Sequence, residues 1–172
     1  STCLNDKNML EILNSLKKPV IIAAGGSKVE EIKFAFNKLK KKLSSIVIMA
    51  GFQNFPTKIE DSKLSQITLI KNFFNTKVGY ADHISGEKKL HAFSIPLMAY
   101  TLGADIIEKH ITLDRSKKGT DYYSSLNPNE FRNFVEFMQL SAKAFSRQKW
   151  SLSKAEIKYR SFNKKFAVSN IN

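Results

Sequence analysis

The chain has 172 residues and a formal net charge of +13, from 28 Lys and Arg against 15 Asp and Glu. The lysines are spread along the chain and no aromatic residues alternate with them, so the charge indicates a solvated surface and we expect no nucleic-acid partner. The hydrophobic share of 42% excludes wholesale disorder, no apolar run approaches the roughly 18 residues of a membrane span, and one cysteine excludes a disulfide framework. We therefore expect a globular cytoplasmic protein without a signal peptide or a membrane segment.

The first predicted strand covers residues 19–24 and ends at the pair Gly25-Gly26. Ser27 follows as a candidate N-cap, and Glu30 stands three residues later, which is the spacing of a capping box. Apolar residues then recur with helical spacing as far as Leu39. This segment predicts one strand followed by one helix.

Three more strand-then-helix units follow. The predicted strands are 45–50, 77–80 and 104–108, and the predicted helices are 61–74, 87–102 and 128–145, with Gly103 ending the second of these helices. Strand starts recur about every 30 residues, as βαβ units require, which predicts an α/β fold with a parallel sheet. Four such units are half of a (βα)₈ TIM barrel and would leave two sheet edges exposed. We infer that the chain either lacks the first half of a barrel or pairs with another chain.

Two short motifs place histidines at the ends of predicted strands. His83 ends the motif at 79–83 directly after Asp82, and His110 lies two residues after Glu108 in the motif at 108–115. Ends of neighbouring parallel strands lie about 5 Å apart, so both imidazoles could reach one metal ion. Asp121 follows in a short loop and adds a third carboxylate. The alternative is that these side chains cap strands or form surface ion pairs, as Asp114 and Arg115 could.

The motifs and their order resemble the sialic acid synthase family. The matching segments are 19–25, 55–57, 79–83, 108–115, 119–128, 153–160 and 166–168. The resemblance implies a TIM barrel of which residues 1–148 form about strands 5–8. It also implies that 149–172 form a linker toward an antifreeze-like carboxy-terminal domain, and that the complete protein is a domain-swapped homodimer.

The resemblance also implies an activity, in which phosphoenolpyruvate condenses with an N-acetylated amino sugar such as N-acetylmannosamine. C3 of phosphoenolpyruvate attacks the sugar aldehyde, water adds at C2, and phosphate leaves with C–O cleavage. The product is a nonulosonic acid such as N-acetylneuraminate. His83 and His110 correspond to the family's ligands for a divalent metal, Mn²⁺ or Mg²⁺.

The remaining site residues are assigned by the same resemblance. Glu108 and Asp121 match the acidic residues that transfer protons and hold the sugar. Gln53 and Phe55 match substrate-binding positions. Asp82 is assigned to substrate binding and to orienting the neighbouring His83.

Several positions depart from the family pattern. Ala23-Ala24 stand where a serine-threonine pair is usual, and Ala81 replaces another serine. Phe55 replaces a tyrosine. The family's usual Gly-Pro-Asp-His motif is Gly-Thr-Asp-Tyr at 119–122, so Tyr122 replaces a histidine. The lost hydroxyls would otherwise help to hold phosphoenolpyruvate, so the alternative to a synthase is a non-catalytic half-barrel that acts as a binding or assembly module.

Overall fold

The computed structural model describes residues 2–40, 45–145 and 151–165. In chain order the elements are α1 (Lys7–Leu16), β1 (Val20–Ala23), α2 (Val29–Leu39), β2 (Ile46–Ala50), α3 (Ser65–Phe74), β3 (Lys77–Asp82), α4 (Lys89–Thr101), β4 (Ile106–Lys109), α5 (Pro128–Ala144) and α6 (Lys154–Asn163). All four predicted strands and the helices that follow them are present. The predicted α/β fold is confirmed.

The strands form one parallel sheet in the order β1-β2-β3-β4. In the register between the last two strands, Ala81 lies opposite Glu108 and Asp82 lies opposite Lys109. Because parallel strands share a direction, the carboxyl ends of all four lie at one edge of the sheet. This edge carries the loops that contain the predicted site.

The two faces of the sheet have different environments, because side chains alternate between them along each strand. On one face Ile48, Val78 and Tyr80 are buried in a core to which the helices α1 to α4 contribute. On the other face Ile21 is 58% exposed and Ile106 is 37% exposed. A sheet with helices on one face and an open apolar opposite face has the architecture of half a barrel.

The predicted element boundaries need three corrections. Helix α2 begins one residue later than expected, since the Glu31 carboxylate accepts a hydrogen bond from the Lys28 backbone N–H at 2.8 Å. The capping box predicted for Ser27 and Glu30 is therefore wrong. The helix predicted at 61–74 divides into a 3₁₀ turn and α3, because Lys63 between them has a left-handed backbone with φ of 41°.

Two helices, α1 and α6, were not predicted. Helix α1 is capped by the Asp6 side chain, and α6 lies within the segment predicted as a linker. The predicted boundary between 148 and 149 and the segment 166–172 lie outside the described residues, so the domain division stays a prediction. Within the described ranges no helix has the length and apolarity needed to cross a membrane.

Candidate active site

Two imidazoles meet at the carboxyl edge of the sheet. His83 follows β3, His110 follows β4, and their ring centroids are 5.0 Å apart. His83 is 2% exposed, whereas the His110 side chain is 26% exposed. The strand-end geometry expected from the sequence is therefore present, with one ring buried and the other open to solvent.

Phe55 and Asp121 complete the surroundings of the imidazole pair. The Phe55 ring packs edge-on against His83 and His110, with centroid distances of 5.1 Å and 5.7 Å. Asp121 Oδ2 lies 3.8 Å from His110 Nδ1. Asp121 has a left-handed backbone with φ of 57°, and its carbonyl accepts a hydrogen bond from Ser125 Oγ. Asp121 therefore lies beside His110, and Phe55 lies beside both histidines.

The backbone carbonyl of His83 joins two other loops to the site. It accepts hydrogen bonds from the Thr57 backbone N–H at 2.9 Å and from Ser124 Oγ at 2.7 Å. The carbonyl of His110 accepts from the Leu126 N–H at 3.0 Å. These bonds attach the loop after β2 and the loop after β4 to the histidine positions, so the site depends on three loops packed together.

The electrostatics of the pair favour neutral imidazole at His83. Burial lowers the pKa of His83 to about 4, and the neighbouring His110 contributes to the decrease. His83 Nδ1 is buried without a hydrogen-bond partner among the described residues. Neutral imidazole nitrogens are the form that ligates divalent metals.

The donor set therefore suits two protein ligands of a divalent cation, with the other coordination positions left to oxygen donors. In the part of the chain that the structure describes, no group of three or more His, Cys, Asp or Glu side chains is arranged to hold a metal. The Mn²⁺ or Mg²⁺ ion remains a prediction from the sequence.

Asp82 has a different partner from the one expected. Its carboxylate forms an ion pair with Lys109 Nζ, and the two side chains are 0% and 1% exposed. Burial raises the pKa of this carboxyl, and the Lys109 ammonium opposes the increase. The pair lies on the helix-packed face with Tyr80, since Asp82 and Tyr80 are two residues apart on β3.

The other predicted residues lie in more open positions. Glu108 is exposed at the end of β4, opposite Ala81 in the sheet register and on the open face. Gln53 is exposed in the loop after β2. Ala23 and Ala81 both lie on the open face, so these two departures from the family pattern fall on the side where a barrel has its interior, whereas Ala24 is buried in the helix-packed core.

Arg115 forms its ion pair with Glu130 and not with Asp114, which corrects the expected local pair. Its guanidinium makes a two-pronged contact with Glu130, at 2.7 Å and 3.1 Å. Asp114 instead accepts hydrogen bonds from Ser116 N and Oγ. Arg115 thereby attaches the loop that carries Asp121 to the start of α5.

A cavity of about 570 Å³ lies between α2 and α3, beside Gly25, Ser27 and Gly51. It is lined by apolar side chains such as Ile70 and Phe73, and none of the seven predicted site residues lines it. The cavity is therefore separate from the histidine pair.

Sequence reasoning did not single out Lys109 or Ser124. The predicted strands end at 80 and 108, before Asp82 and Lys109, so strand alternation did not predict this pair. Ser124 lies in a loop and also has no local signal. Its contact with the His83 carbonyl spans 41 residues and depends on the path of a loop.

Comparison with known proteins identifies the family to which this chain is similar. Residues 1–149 match the NeuB family. The pseudaminic acid synthase of Campylobacter jejuni is 33% identical over 166 residues, which are 96% of this chain and 47% of the relative. The N,N'-diacetyllegionaminic acid synthase of Legionella pneumophila is 32% identical over 127 residues, covering 71% of this chain and 34% of the relative.

Among solved structures, the N-acetylneuraminic acid (sialic acid) synthetase of Leptospira borgpetersenii superposes with a TM-score of 0.80. It is 30% identical and covers 94% of this chain, which corresponds to 56% of that structure's chain. The four βα units are thus part of a TIM barrel, as predicted. The chain spans about half the length or less of the curated relatives that it matches.

Proposed function

This chain belongs to the NeuB family, and on that premise we propose that it forms half of the barrel of a nonulosonic acid synthase. The reaction condenses phosphoenolpyruvate with an N-acetylated amino sugar and releases phosphate. C3 of phosphoenolpyruvate bonds to the aldehyde carbon of the sugar, water adds at C2, and the C–O bond to phosphate breaks. The product belongs to the class that includes N-acetylneuraminate.

The observation that supports this proposal most directly is the imidazole pair, whose centroids lie 5.0 Å apart beside the Asp121 carboxylate. His83 and His110 are the proposed ligands of Mn²⁺ or Mg²⁺. When bound, such an ion supplies Lewis acidity toward the sugar aldehyde. The burial of His83 keeps its imidazole neutral and available as a ligand.

The other side chains receive roles from their positions. Asp121, beside His110, and Glu108, exposed on the open face, are the proposed groups for proton transfer and for holding the sugar hydroxyls. Phe55, whose ring packs against both imidazoles, is the proposed substrate-binding side chain beside them. Gln53 is the proposed hydrogen-bond donor to phosphoenolpyruvate.

We propose that the complete protein is a homodimer, as the family resemblance implies, and that it works in the cytoplasm, which its single cysteine favours.

A second candidate is a non-catalytic binding or assembly module. Ala23 and Ala81 support it, because both lie on the open face and present methyl groups where the family has hydroxyls. Each lost hydrogen bond to an anion costs roughly 1–3 kcal/mol if nothing replaces it. Two such losses would weaken phosphoenolpyruvate binding about 30-fold or more.

The test is Mn²⁺-dependent release of phosphate from phosphoenolpyruvate in the presence of N-acetylmannosamine, or of the acceptor sugars for pseudaminic and legionaminic acid. The assay is run on this chain alone and on the chain mixed with the complementary half of the Campylobacter jejuni relative, which supplies the missing strands. We expect release in the mixture and its loss on His110→Ala. Saturable Mn²⁺ binding without turnover of any sugar would favour the non-catalytic module.

A further inference from the structure

A buried ion pair connects the two strands that carry the histidines. Asp82 immediately precedes His83, and Lys109 immediately precedes His110. The two residues are directly opposite each other in the register of β3 and β4, and their side chains form an ion pair on the helix-packed face. One charged contact therefore lies one residue before both imidazoles.

The Lys109 ammonium also contacts Ile84, the residue that follows His83. Its Nζ lies 3.5 Å from the Ile84 carbonyl oxygen, in addition to its contact with the Asp82 carboxylate. Asp82 and Ile84 are the two neighbours of His83 in the chain. From the strand that ends at His110, the ammonium therefore contacts both residues that flank His83, through the Asp82 side chain and the Ile84 backbone.

The burial of Asp82 and Lys109 excludes direct contact between this ion pair and a substrate. The Asp82 and Lys109 side chains are 0% and 1% exposed, so a molecule in solution cannot touch them. Burying two charges is costly, and apolar side chains of similar volume often give equal or greater stability. What distinguishes a charged pair here is that it fixes one contact between the two strand ends, which an apolar pair specifies less strictly.

We propose that Lys109 and Asp82 are positioning residues that hold His83 and His110 at the spacing required to bind one divalent cation. The proposal rests on the metal ligands assigned under the proposed function. It gives Asp82 a positioning role through Lys109 in place of the substrate contact expected from the sequence.

The test compares Mn²⁺ binding by the wild-type chain with binding by three variants. Lys109→Met removes the ammonium that pairs with the buried Asp82 carboxylate, which keeps its interactions with Tyr80 and the Ile84 backbone. Asp82→Leu combined with Lys109→Met removes both charges and replaces the buried ion pair by two apolar side chains. Lys71→Met is the matched control, because it removes a lysine–aspartate pair with Asp105 at the opposite end of β4, where both side chains are 35% exposed.

Two measurements are made on each protein. The dissociation constant of Mn²⁺ is obtained from the electron paramagnetic resonance signal of the free ion, and the absorption spectrum of added Co²⁺ reports the ligand geometry. Urea unfolding and near-ultraviolet circular dichroism show whether each variant is folded.

We expect the double variant to fold and to bind Mn²⁺ about tenfold more weakly or worse, the range seen when groups behind metal ligands are removed. Its Co²⁺ spectrum should differ from that of the wild type, and Lys71→Met should match the wild type in both measurements. If Lys109→Met alone fails to fold, the double variant decides.

A double variant that binds Mn²⁺ with the wild-type constant overturns the positioning role and leaves the proposed ligands intact. A wild-type chain with no saturable Mn²⁺ binding contradicts the ligand assignment itself and this inference with it. The two failures are therefore distinguishable.

Discussion

Replacing Arg115 by methionine tests how the loop that carries Asp121 is held in place. The Arg115 guanidinium contacts both Glu130 oxygens and donates to the Ser125 carbonyl at 3.0 Å. Its backbone N–H donates to Asn127 Oδ1 at 2.8 Å. Methionine keeps much of the length and the backbone bond but removes every guanidinium contact.

The expected loss of stability follows from how deeply the pair is buried. The Arg115 and Glu130 side chains are 14% and 16% exposed. Exposed pairs contribute about 0–1 kcal/mol, and breaking a fully buried pair costs about 3–5 kcal/mol. Glu130 keeps the hydrogen bond from the Asn127 N–H, so we expect Arg115→Met to lower the free energy of unfolding by about 2 kcal/mol.

Urea unfolding at neutral pH measures this change, with Lys89→Met as the control. Lys89 pairs with the same Glu130 carboxylate at 3.5 Å, but its side chain is 69% exposed. We expect the control to cost less than about 0.5 kcal/mol. A double-mutant cycle with Glu130→Gln isolates the energy of the Arg115 pair from other effects of the substitution.

The pH dependence provides a second test. The guanidinium hydrogen bond holds the pKa of the Glu130 carboxyl below its ordinary value. Above the ordinary glutamate pKa both folded and unfolded states carry the charge, so the stabilisation is fully present. It is lost as the pH falls through the lowered folded-state pKa, because the carboxylate is then protonated in both states. The difference between wild type and Arg115→Met should therefore shrink in acid.

Two results would refute this reasoning. One is an equal loss of stability in Arg115→Met and Lys89→Met, which would mean that burial does not determine the strength of the pair. The other is a difference between wild type and Arg115→Met that is unchanged in strong acid.

Three further predictions concern His83 and the glycine that follows β2. His83→Ala should abolish Mn²⁺ binding measured by calorimetry while His91→Ala, on α4, leaves it unchanged; equal binding by both would contradict the ligand assignment. Since the pKa of His83 is lowered to about 4, the unfolded chain binds a proton there below about pH 6.5 before the folded chain does. As the pH is lowered from about 6.5 to about 4, the free energy of unfolding of the wild type should therefore decrease. The decrease, measured by urea unfolding at each pH, should exceed that of His83→Gln by up to about 3 kcal/mol. Gly51→Ala should lower the free energy of unfolding in urea by about 2–4 kcal/mol. The reason is that Gly51 has φ of 126° and that an added Cβ would lie 2.3 Å from the Ala81 carbonyl oxygen. Gly119→Ala is the control and should be near neutral, because a Cβ there would meet nothing within 4 Å.

Much of the fold was predictable because its signals are local. The βα units follow from apolar runs alternating with helical spacing, and glycines such as Gly103, with φ of 105°, mark where helices end. Helix α1 was missed although its signal is local, since Met9, Leu10, Leu13 and Leu16 recur with helical spacing. Its contact with α2, where Asn14 Nδ2 donates to the Lys38 carbonyl at 3.1 Å, depends on tertiary packing.

The position of the histidine pair was predictable for the same local reason, but the rest of the candidate site was not. Histidines at the ends of neighbouring parallel strands must lie close together, and the 5.0 Å separation of His83 and His110 agrees with that expectation. The partners of charged side chains were not predictable in this way. Arg115 was expected beside Asp114 and binds Glu130, which lies 15 residues away.

The sequence alone thus determined the order of the four βα units, the parallel sheet and the location of the histidine pair, since these depend on periodicity and on strand ends. Only the tertiary structure decided that Asp82 is buried against Lys109, that Ser124 binds the His83 carbonyl, and that Glu108 is open to solvent. The physical reason is that pairing and burial depend on which loop or strand covers a side chain in three dimensions. The residue type and its spacing along the chain do not record that information.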